Sequence, residues 1–132
     1  LFEVGLSEIT LRENIGLLAY SPLGFGILTG KHLNGTQPKS RIDLFPQFTR
    51  YTGSTATIAT QMYQKLAQEN WLTLTKMALS FVFNQNFVTS TIIGATSMEQ
   101  LQQNIEAKNT ILSKEILIEI DKIHDIQPNP AP

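Results

Sequence analysis

Residues 15–35, IGLLAYSPLGFGILTGKHLNG, join a short apolar run to a long segment rich in glycine. Residues 15–20 show no polar alternation, which is typical of a strand buried on both faces of a parallel sheet. Gly, Pro, Thr and Ser are frequent from residue 21 to about residue 53. Connections of this length without regular structure are uncommon and usually functional. The stretch therefore predicts a buried strand and then a long loop, residues 21–53, whose small side chains allow it to lie against another surface.

A second strand is predicted at residues 88–93, VTSTII, because nearly every position is β-branched. Gly94 ends this strand. Helical spacing of apolar residues predicts helices over residues 2–12, 55–69 and 97–107, another after residue 74 with Thr75 as its cap, and a last one capped by Ser113. The inward-facing residues are expected to be Phe2, Leu6, Ile9, Ile58, Met62, Leu66, Met77, Ala78, Phe81, Val82, Leu101, Ile105, Leu117, Ile120 and Ile123.

The predicted order, α-β-loop-α-α-β-α-α, places helical crossovers between the two strands. Strands joined in this way run parallel, and buried parallel strands belong to larger α/β sheets or barrels. Two strands cannot close a barrel, which typically takes about 250 residues. The sequence therefore predicts part of an α/β architecture.

Composition narrows the function classes. The 132 residues are 42% hydrophobic and 16% charged, with a net charge of −1, as expected for one domain with a core. The balanced charge gives no reason to expect nucleic acid, and no apolar run approaches the roughly 20 residues of a membrane span. The absence of cysteine fits a cytoplasmic location, and two distant histidines do not predict a zinc site. Three prolines in residues 127–132 predict a loop or frayed tail.

Both predicted strands are followed by small residues. Gly94 and Ala95 allow a ligand to approach the backbone, and a helix from Ser97 directs N–H groups and its positive dipole end toward the strand tips. The tips at Ser21 and Gly94 are therefore expected to converge on a phosphate, as in the last two loops of a (β/α)8 barrel. Local alternatives stay open: residues 97–100 form a capping box, Ser21 and the following proline suit an ordinary turn, Lys31 suits a solvated position and Tyr20 suits the core.

The segments GLLAYSPLGFGILTGKHLNG (residues 16–35) and STIIGATSMEQLQQNIEA (residues 90–107) resemble the C-terminal part of the aldo-keto reductase superfamily. Within this superfamily, the two segments resemble the Tas-like bacterial members and the potassium-channel β subunits. The resemblance implies one partial domain, residues 1–132, holding strands seven and eight of a (β/α)8 TIM barrel with their flanking helices. It also implies NADPH-dependent reduction of aldehydes and ketones without a metal, with the remainder of the barrel and a small carbonyl substrate as partners.

The resemblance assigns binding roles by position. Tyr20 would stack on the nicotinamide. The loop over the pyrophosphate would be lined by Ser21, Pro22, Leu23 and Gly26, with Lys31 and Arg41 near the phosphates. Gly94 and Thr96 would lie by the adenosine phosphate, and one face of the following helix would present Gln100, Gln103 and Asn104 to adenine and ribose.

The chain departs from the family pattern in two respects. Thr96, Ser97 and Gln100 are neutral where many members carry Lys or Arg for the 2′-phosphate, and Gln103 stands where Glu is frequent. NADH is therefore an alternative cofactor, although Arg41 offers a compensating charge.

The family's catalytic Asp, Tyr, Lys and His are expected before residue 1, since its tyrosine and histidine have no match in Tyr51, Tyr63, His32 or His124.

The resemblance therefore implies no catalytic residue in this chain and negligible turnover by the chain alone. Two further hypotheses remain open at this stage. The chain is a dinucleotide-binding regulatory module of the channel-β type, or it is a truncated remnant without a function of its own.

Overall fold

The computed structural model describes residues 2–131. Two parallel strands and six α-helices are formed by this part of the chain, with short 3-10 segments at Phe2–Val4, Gly24–Thr29 and Ala107–Asn109. In chain order the elements are α1 (Leu6–Arg12), β1 (Leu18–Tyr20), α2 (Arg41–Leu44), α3 (Ser54–Glu69), α4 (Leu74–Phe83), β2 (Ser90–Ile92), α5 (Met98–Glu106) and α6 (Lys114–Ile126). Each helix and strand expected from the sequence has a counterpart, and α2 is an additional short helix within residues 21–53.

The two strands pair in parallel, which confirms the predicted topology. Leu18 lies opposite Ser90, and Tyr20 lies opposite Ile92. Helices α2, α3 and α4 fall between the strands in sequence, as a parallel crossover requires. Each strand has three residues, fewer than its apolar or β-branched run, because only the register-matched part of each run is paired.

The prediction that the first strand is buried on both faces is wrong for the described residues. Leu18 is 60% exposed and Tyr20 is 75% exposed, and Ile92 on the second strand is 54% exposed. Within residues 2–131 only two short strands form the sheet, so no further layer covers these side chains. Helix α1 forms as predicted, but Leu6 and Ile9 on its apolar face are also about half exposed.

The core lies among helices α3, α4 and α6. Leu66, Met77, Ile120 and Ile123 are buried there, as their helical spacing predicted. Ile58 at the start of α3 is 45% exposed, and its predicted inward position is therefore wrong. The core cluster is completed by buried Ala67, Leu74, Leu112 and Ile116 and by partly buried Met62, Tyr63, Leu72, Phe81 and Leu117.

Helix α4 also buries a face that its spacing did not predict. Leu79 and Ser80 are fully buried. The Ser80 hydroxyl lies 2.7 Å from the carbonyl oxygen of Lys76 and 2.9 Å from that of Ala107. A buried hydroxyl needs such a partner, and this contact fastens α4 to the turn that follows α5.

Four helices in residues 2–131 begin with a side-chain cap, and the cap of α2 is Ser40, which accepts a hydrogen bond from the Asp43 N–H. Ser97 accepts a hydrogen bond from the Gln100 N–H, and Ser113 accepts one from the Ile116 N–H, as predicted for Ser113. The predicted cap of α4, Thr75, is wrong, because Thr73 accepts the hydrogen bond from the Lys76 N–H. Thr73 has the extended backbone of an N-cap residue, at φ −77° and ψ 149°, so the helix begins at Leu74.

Trp71 occupies the position after α3 where glycine is usual. Its N–H donates to the carbonyl of Gln68 and the Leu72 N–H donates to that of Ala67, which together form a Schellman motif. Trp71 has a φ of 58°, in the left-handed region, and its side chain is 97% exposed. The strained backbone is therefore not offset by packing of the ring within the described residues.

We expect Trp71→Gly to raise the free energy of unfolding by about 1 kcal/mol, because glycine adopts positive φ without the steric cost of a β-carbon. Urea unfolding followed by circular dichroism measures the change, since the substitution removes the chain's one tryptophan. Trp71→Ala keeps the β-carbon and is the matched control. Equal stabilisation by alanine would contradict the backbone explanation.

Candidate functional site

The carboxyl ends of β1 and β2 lie at the same edge of the sheet. Their parallel register pairs Tyr20 with Ile92, so the chain leaves the sheet at Ser21 on one strand and close to Gly94 on the other. This edge is where parallel α/β sheets bind ligands, because the loops after neighbouring strands meet there. The expected convergence of the two strand tips agrees with this register.

The loop after β1 turns tightly. Left-handed backbone, with φ between 51° and 93°, occurs at Ser21, Gly24, Phe25, Gly26 and Gly30. Two of these residues are not glycine, and a positive φ on a side chain as large as phenylalanine is a genuine outlier. Strained backbone of this kind persists where surrounding contacts hold it, and it concentrates at binding sites.

Gly26 lies beneath two nitrogen-bearing side chains. A β-carbon at Gly26 would lie 3.3 Å from Lys31 Cε, 3.5 Å from Lys31 Nζ and 3.8 Å from His32 Nε2. The structure therefore brings together Gly26 and Lys31, two of the predicted binding residues. His32, for which no binding role was predicted, lies beside them.

One ring nitrogen of His32 is unpaired within the described residues. His32 Nδ1 accepts a hydrogen bond from the Gln37 N–H, while the buried Nε2 has no partner there. Burial, and secondarily the charge of Lys31, lower the pKa of His32, so the ring is neutral at pH 7. Because Nδ1 accepts, the ring proton is on Nε2, and Nε2 is a donor beside Gly26.

The charge of residues 21–53 differs from that of the whole chain. The segment contains four basic residues and one acidic residue, in a chain whose net charge is −1. Within residues 2–131, all the side-chain ion pairs lie outside this segment. Asp43 accepts a hydrogen bond from the Lys39 backbone N–H at 2.7 Å. The basic residues of the segment are Lys31, Lys39, Arg41 and Arg50, and their excess over acidic residues favours an anionic ligand.

Four rings in the same segment form a group that we call the aromatic cluster: Phe25, Phe45, Phe48 and Tyr51. Phe25 lies 5.6 Å from Phe48 and 5.3 Å from Tyr51 between ring centroids, and Phe45 lies 6.1 Å from Phe48. The cluster joins the start of the segment to its end. Sequence reasoning missed it, although aromatic residues recurring every third position from 45 to 51 were a readable signal.

Two arginines stack on the aromatic cluster. Arg41 Cζ lies 5.3 Å from the centroid of Phe25, and Arg50 Cζ lies 5.7 Å from that of Tyr51. Both distances are within the range of a cation–π interaction. Arg41, a predicted binding residue, is thereby held against the residue that precedes Gly26.

The tip of β2 is followed by the capped start of α5. Ser97 caps the helix, as the interpretation of residues 97–100 as a capping box predicted for this residue. The backbone N–H and hydroxyl of Thr96 both donate to Gln100 Oε1, at 3.0 and 3.1 Å. A hydrogen bond from the Ser97 side chain is the main cause that lowers the pKa of Glu99. Thr96 and Gln100, both predicted binding residues, therefore lie together at the helix start.

The three predicted polar residues of α5 do not share one environment. Gln100 and Gln103 are exposed, whereas Asn104 is 3% exposed. Asn104 Nδ2 donates to the Gly94 carbonyl oxygen at 3.2 Å and so fastens α5 to the end of β2. The predicted inward position of Ile105 is wrong, because its side chain is 56% exposed and Asn104 is the buried residue of this helix.

The other predicted residues lie around the β1 tip. Tyr20 is exposed, and Ser21, Pro22 and Leu23 are half-buried. Pro22 also lines an apolar cavity of about 530 Å³, whose wall includes Tyr63. Burial and, secondarily, the charge of Asp121 raise the pKa of Tyr63, so its phenol is neutral at pH 7. With its mainly apolar wall, this cavity does not supply the cations that a phosphate requires.

The described helices and the histidine and acidic side chains were assessed as membrane spans and as metal ligands by their length, hydrophobicity and grouping. No helix in residues 2–131 combines the length and the hydrophobicity needed to cross a membrane. Across the same residues, His, Asp and Glu side chains form no group of three that could hold a metal ion.

Comparison with known proteins gives a match over almost the whole chain. Residues 1–125 match the model of the Aldo/keto reductase family. "Protein tas" of Escherichia coli (strain K12) is 48% identical over 132 residues, which cover 99% of this chain and 38% of the relative. "L-glyceraldehyde 3-phosphate reductase" of the same strain is 32% identical over 126 residues, covering 89% of this chain and 36% of the relative.

A further relative comes from a eukaryote. The "Putative voltage-gated potassium channel subunit beta" of Schizosaccharomyces pombe (strain 972) is 32% identical over 134 residues, which cover 96% of this chain and 39% of the relative. The chain therefore spans less than two fifths of the length of these three relatives.

Proposed function

The chain belongs to the aldo/keto reductase family, and on that premise we propose that it supplies the cofactor-binding edge of an NADP(H)-dependent reductase of aldehydes or ketones. The observation that carries the proposal is the arrangement after β1, where Lys31 lies over the backbone of Gly26 and Arg41 is held against Phe25. One relative is named as a reductase of a phosphorylated aldehyde, which supports a carbonyl substrate.

We propose that β1 and β2 are strands seven and eight of the family's (β/α)8 barrel. The mixed α/β fold and the parallel pairing support this assignment. The exposed side chains of Leu18 and Ile92 support it too, since the parallel strands of a complete barrel are buried on both faces. The single partial domain over residues 1–132, the cofactor loop over residues 21–53, the tail over residues 127–132 and the cytoplasmic location stay predictions.

The loop residues fit a phosphate-bearing dinucleotide. Gly26 has no side chain to block the space beneath Lys31 Nζ and His32 Nε2, and Nε2 has a proton without a partner in the described residues. Arg41 has no ion-pair partner in that part of the chain. Two cations and a neutral donor beside a glycine backbone are groups that suit a pyrophosphate.

The remaining roles follow from position at the edge. The bound dinucleotide supplies the hydride, and the residues of this chain bind and orient it. Tyr20, exposed at the end of β1, offers its ring to the nicotinamide, and Ser21, Pro22 and Leu23 line the approach to the pyrophosphate. Exposed Gln103 contacts the adenosine part.

The tip of β2 completes the proposed site. Gly94 leaves open space where a side chain would stand, since none of the described atoms lies within 4 Å of a β-carbon built there. Thr96 and Gln100 meet the adenosine phosphate as a hydrogen-bonded pair. Because both are neutral, a preference for NADPH over NADH rests on Arg41 of the loop.

The proton donor to the carbonyl oxygen is proposed to come from elsewhere in the reductase. Tyr51, Tyr63, His32 and His124 do not match the family's catalytic positions, and Tyr63 has a raised pKa, whereas a proton donor benefits from a pKa closer to 7. The remainder of the barrel is thus a required partner.

Dinucleotide titration and aldehyde turnover test the proposal in the product of the complete gene and in residues 1–132 alone. We expect the complete protein to bind NADPH and to reduce aldehydes, and the 132-residue chain to show negligible turnover. Failure of the complete protein to bind either NADPH or NADH would overturn the proposal. Binding without turnover would favour the regulatory module, and turnover by residues 1–132 would contradict the external origin of the catalytic groups.

A further inference from the structure

The direction of the Arg41 side chain is set by an aromatic ring. Arg41 is exposed, and its guanidinium carbon lies 5.3 Å from the centroid of Phe25. No carboxylate forms an ion pair with Arg41 in residues 2–131. A guanidinium that stacks through its flat face keeps its N–H groups at the edges, where they are available to an anion.

The ring of Phe25 is fixed by contacts with two neighbouring aromatic rings. Its ring meets Phe48 edge-on, at an interplanar angle of 89°, and packs at 55° on Tyr51. Its backbone has φ 57° and ψ 20°, an unfavourable conformation for a residue with a β-carbon. The contacts of the aromatic cluster hold Phe25 in this conformation, and the ring is thereby presented to Arg41.

The stacked pair lies next to the proposed phosphate-binding groups. Phe25 directly precedes Gly26, over which Lys31 Nζ lies. An arginine fixed in advance loses less conformational entropy on binding than one that is free in solvent. Removal of the ring should therefore weaken binding even though the charge of Arg41 remains.

We propose that Phe25 is a positioning residue, which holds the Arg41 guanidinium in place to bind a phosphate group of the dinucleotide. The inference rests on the proposed function and adds to it a residue for which neither the sequence analysis nor the family pattern gave a role. The phosphate is either part of the pyrophosphate or the 2′-phosphate of NADPH.

The test measures dissociation constants for NADPH and NADH from nicotinamide fluorescence, using the product of the complete gene. We expect Phe25→Leu to weaken NADPH binding by roughly 3- to 10-fold, the range of one partly desolvated cation–π contact. Arg41→Gln should weaken it at least as much, and the double variant should bind no more weakly than Arg41→Gln. Phe25→Tyr keeps the ring and should bind as the unmodified protein does.

Two controls separate positioning from folding. Phe45→Leu removes a ring that belongs to the same cluster but has no arginine stacked on it, and it should change the dissociation constant by less than about twofold. Arg41→Lys alters only an exposed residue and keeps the charge, but it loses the planar group that stacks. We expect it to weaken binding as Phe25→Leu does, which tests the inference even where Phe25→Leu folds poorly.

The outcomes separate this inference from the proposed function. A loss for NADPH alone supports contact with the 2′-phosphate, and an equal loss for NADH supports contact with the pyrophosphate. Absence of dinucleotide binding by the unmodified protein would overturn the proposed function and this inference with it. Binding by the unmodified protein, together with full affinity in Arg41→Lys or additive losses in the double variant, would overturn this inference alone.

Discussion

Gly26→Ala is expected to weaken NADPH binding by the complete protein by roughly tenfold or more. The added β-carbon would lie 3.3 Å from Lys31 Cε and 3.5 Å from Nζ, so the end of the Lys31 side chain has to shift by a few tenths of an ångström beside the proposed phosphate position. Gly26 also has a φ of 93°, which a residue with a β-carbon rarely adopts. Fluorescence titration with NADPH measures the loss.

Gly35→Ala is the matched control for this prediction. Gly35 has a comparable φ of 111°, but no atom of residues 2–131 lies within 4 Å of a β-carbon built there. Both substitutions should reduce the free energy of unfolding by a similar amount, about 1–2 kcal/mol, because the backbone cost is the same in kind. Affinity should fall only in Gly26→Ala. Equal affinity of the two variants would show that the space above Gly26 does not matter for binding.

The helices and strands were predictable where a local run or spacing of residue types in the sequence indicates them. The β-branched run around Ser90 and the apolar run around Leu18 both contain strands, and the intervening helices predicted their parallel pairing. The limits of the strands were not predictable. Which three residues pair depends on the register between segments about 70 positions apart in the sequence, and no local pattern encodes that register.

Helix starts show the same limit on a smaller scale. Ser113 was predicted as a cap because one candidate precedes the apolar spacing of α6. Two threonines flank the first residue of α4, and Thr73 rather than Thr75 is the cap because Thr73 has extended backbone whereas Thr75 is already helical. Burial of Ser80 likewise depends on Ala107, which is distant in sequence.

The residues of the candidate site were also predictable where they are close in sequence, and not where folding brings distant residues together. Lys31 and Gly26 are five residues apart, and the resemblance to the family assigned both of them a role that agrees with their close approach. Phe25 was missed because its part depends on Phe48 and Arg41, which reach it only after the loop folds back. The excess of basic residues in the segment was readable in the sequence and pointed to the same ligand chemistry.

Asn104 is the residue for which the sequence and the structure suggest different roles. The family resemblance implied that it faces adenine and ribose beside Gln103. In the structure its side chain is buried, and Nδ2 donates to the Gly94 carbonyl oxygen at 3.2 Å. We infer that Asn104 acts through Gly94, by fixing the tip of β2 against α5.

Asn104→Leu is therefore expected to lower the free energy of unfolding by about 2 kcal/mol, because it removes a buried donor and leaves the Gly94 carbonyl without it. Leucine has the same branched outline and the same number of side-chain heavy atoms as asparagine, and it has a higher helix propensity, so neither a cavity nor helix weakening accounts for the loss. Urea unfolding of the complete protein measures the change. Gln103→Leu, at the exposed neighbouring position, should change it by less than about 0.5 kcal/mol.

Binding by the same two variants separates the two roles of Asn104. If the side chain fixes the strand tip, Asn104→Leu loses stability with or without dinucleotide present, and its affinity falls because Gly94 is displaced. If instead it contacts the dinucleotide directly, stability without dinucleotide is unchanged and only affinity falls. The second result would contradict the structural role and restore the assignment made from the family resemblance. The hydrogen bond to Gly94 and the 3% exposure of Asn104 favour the first.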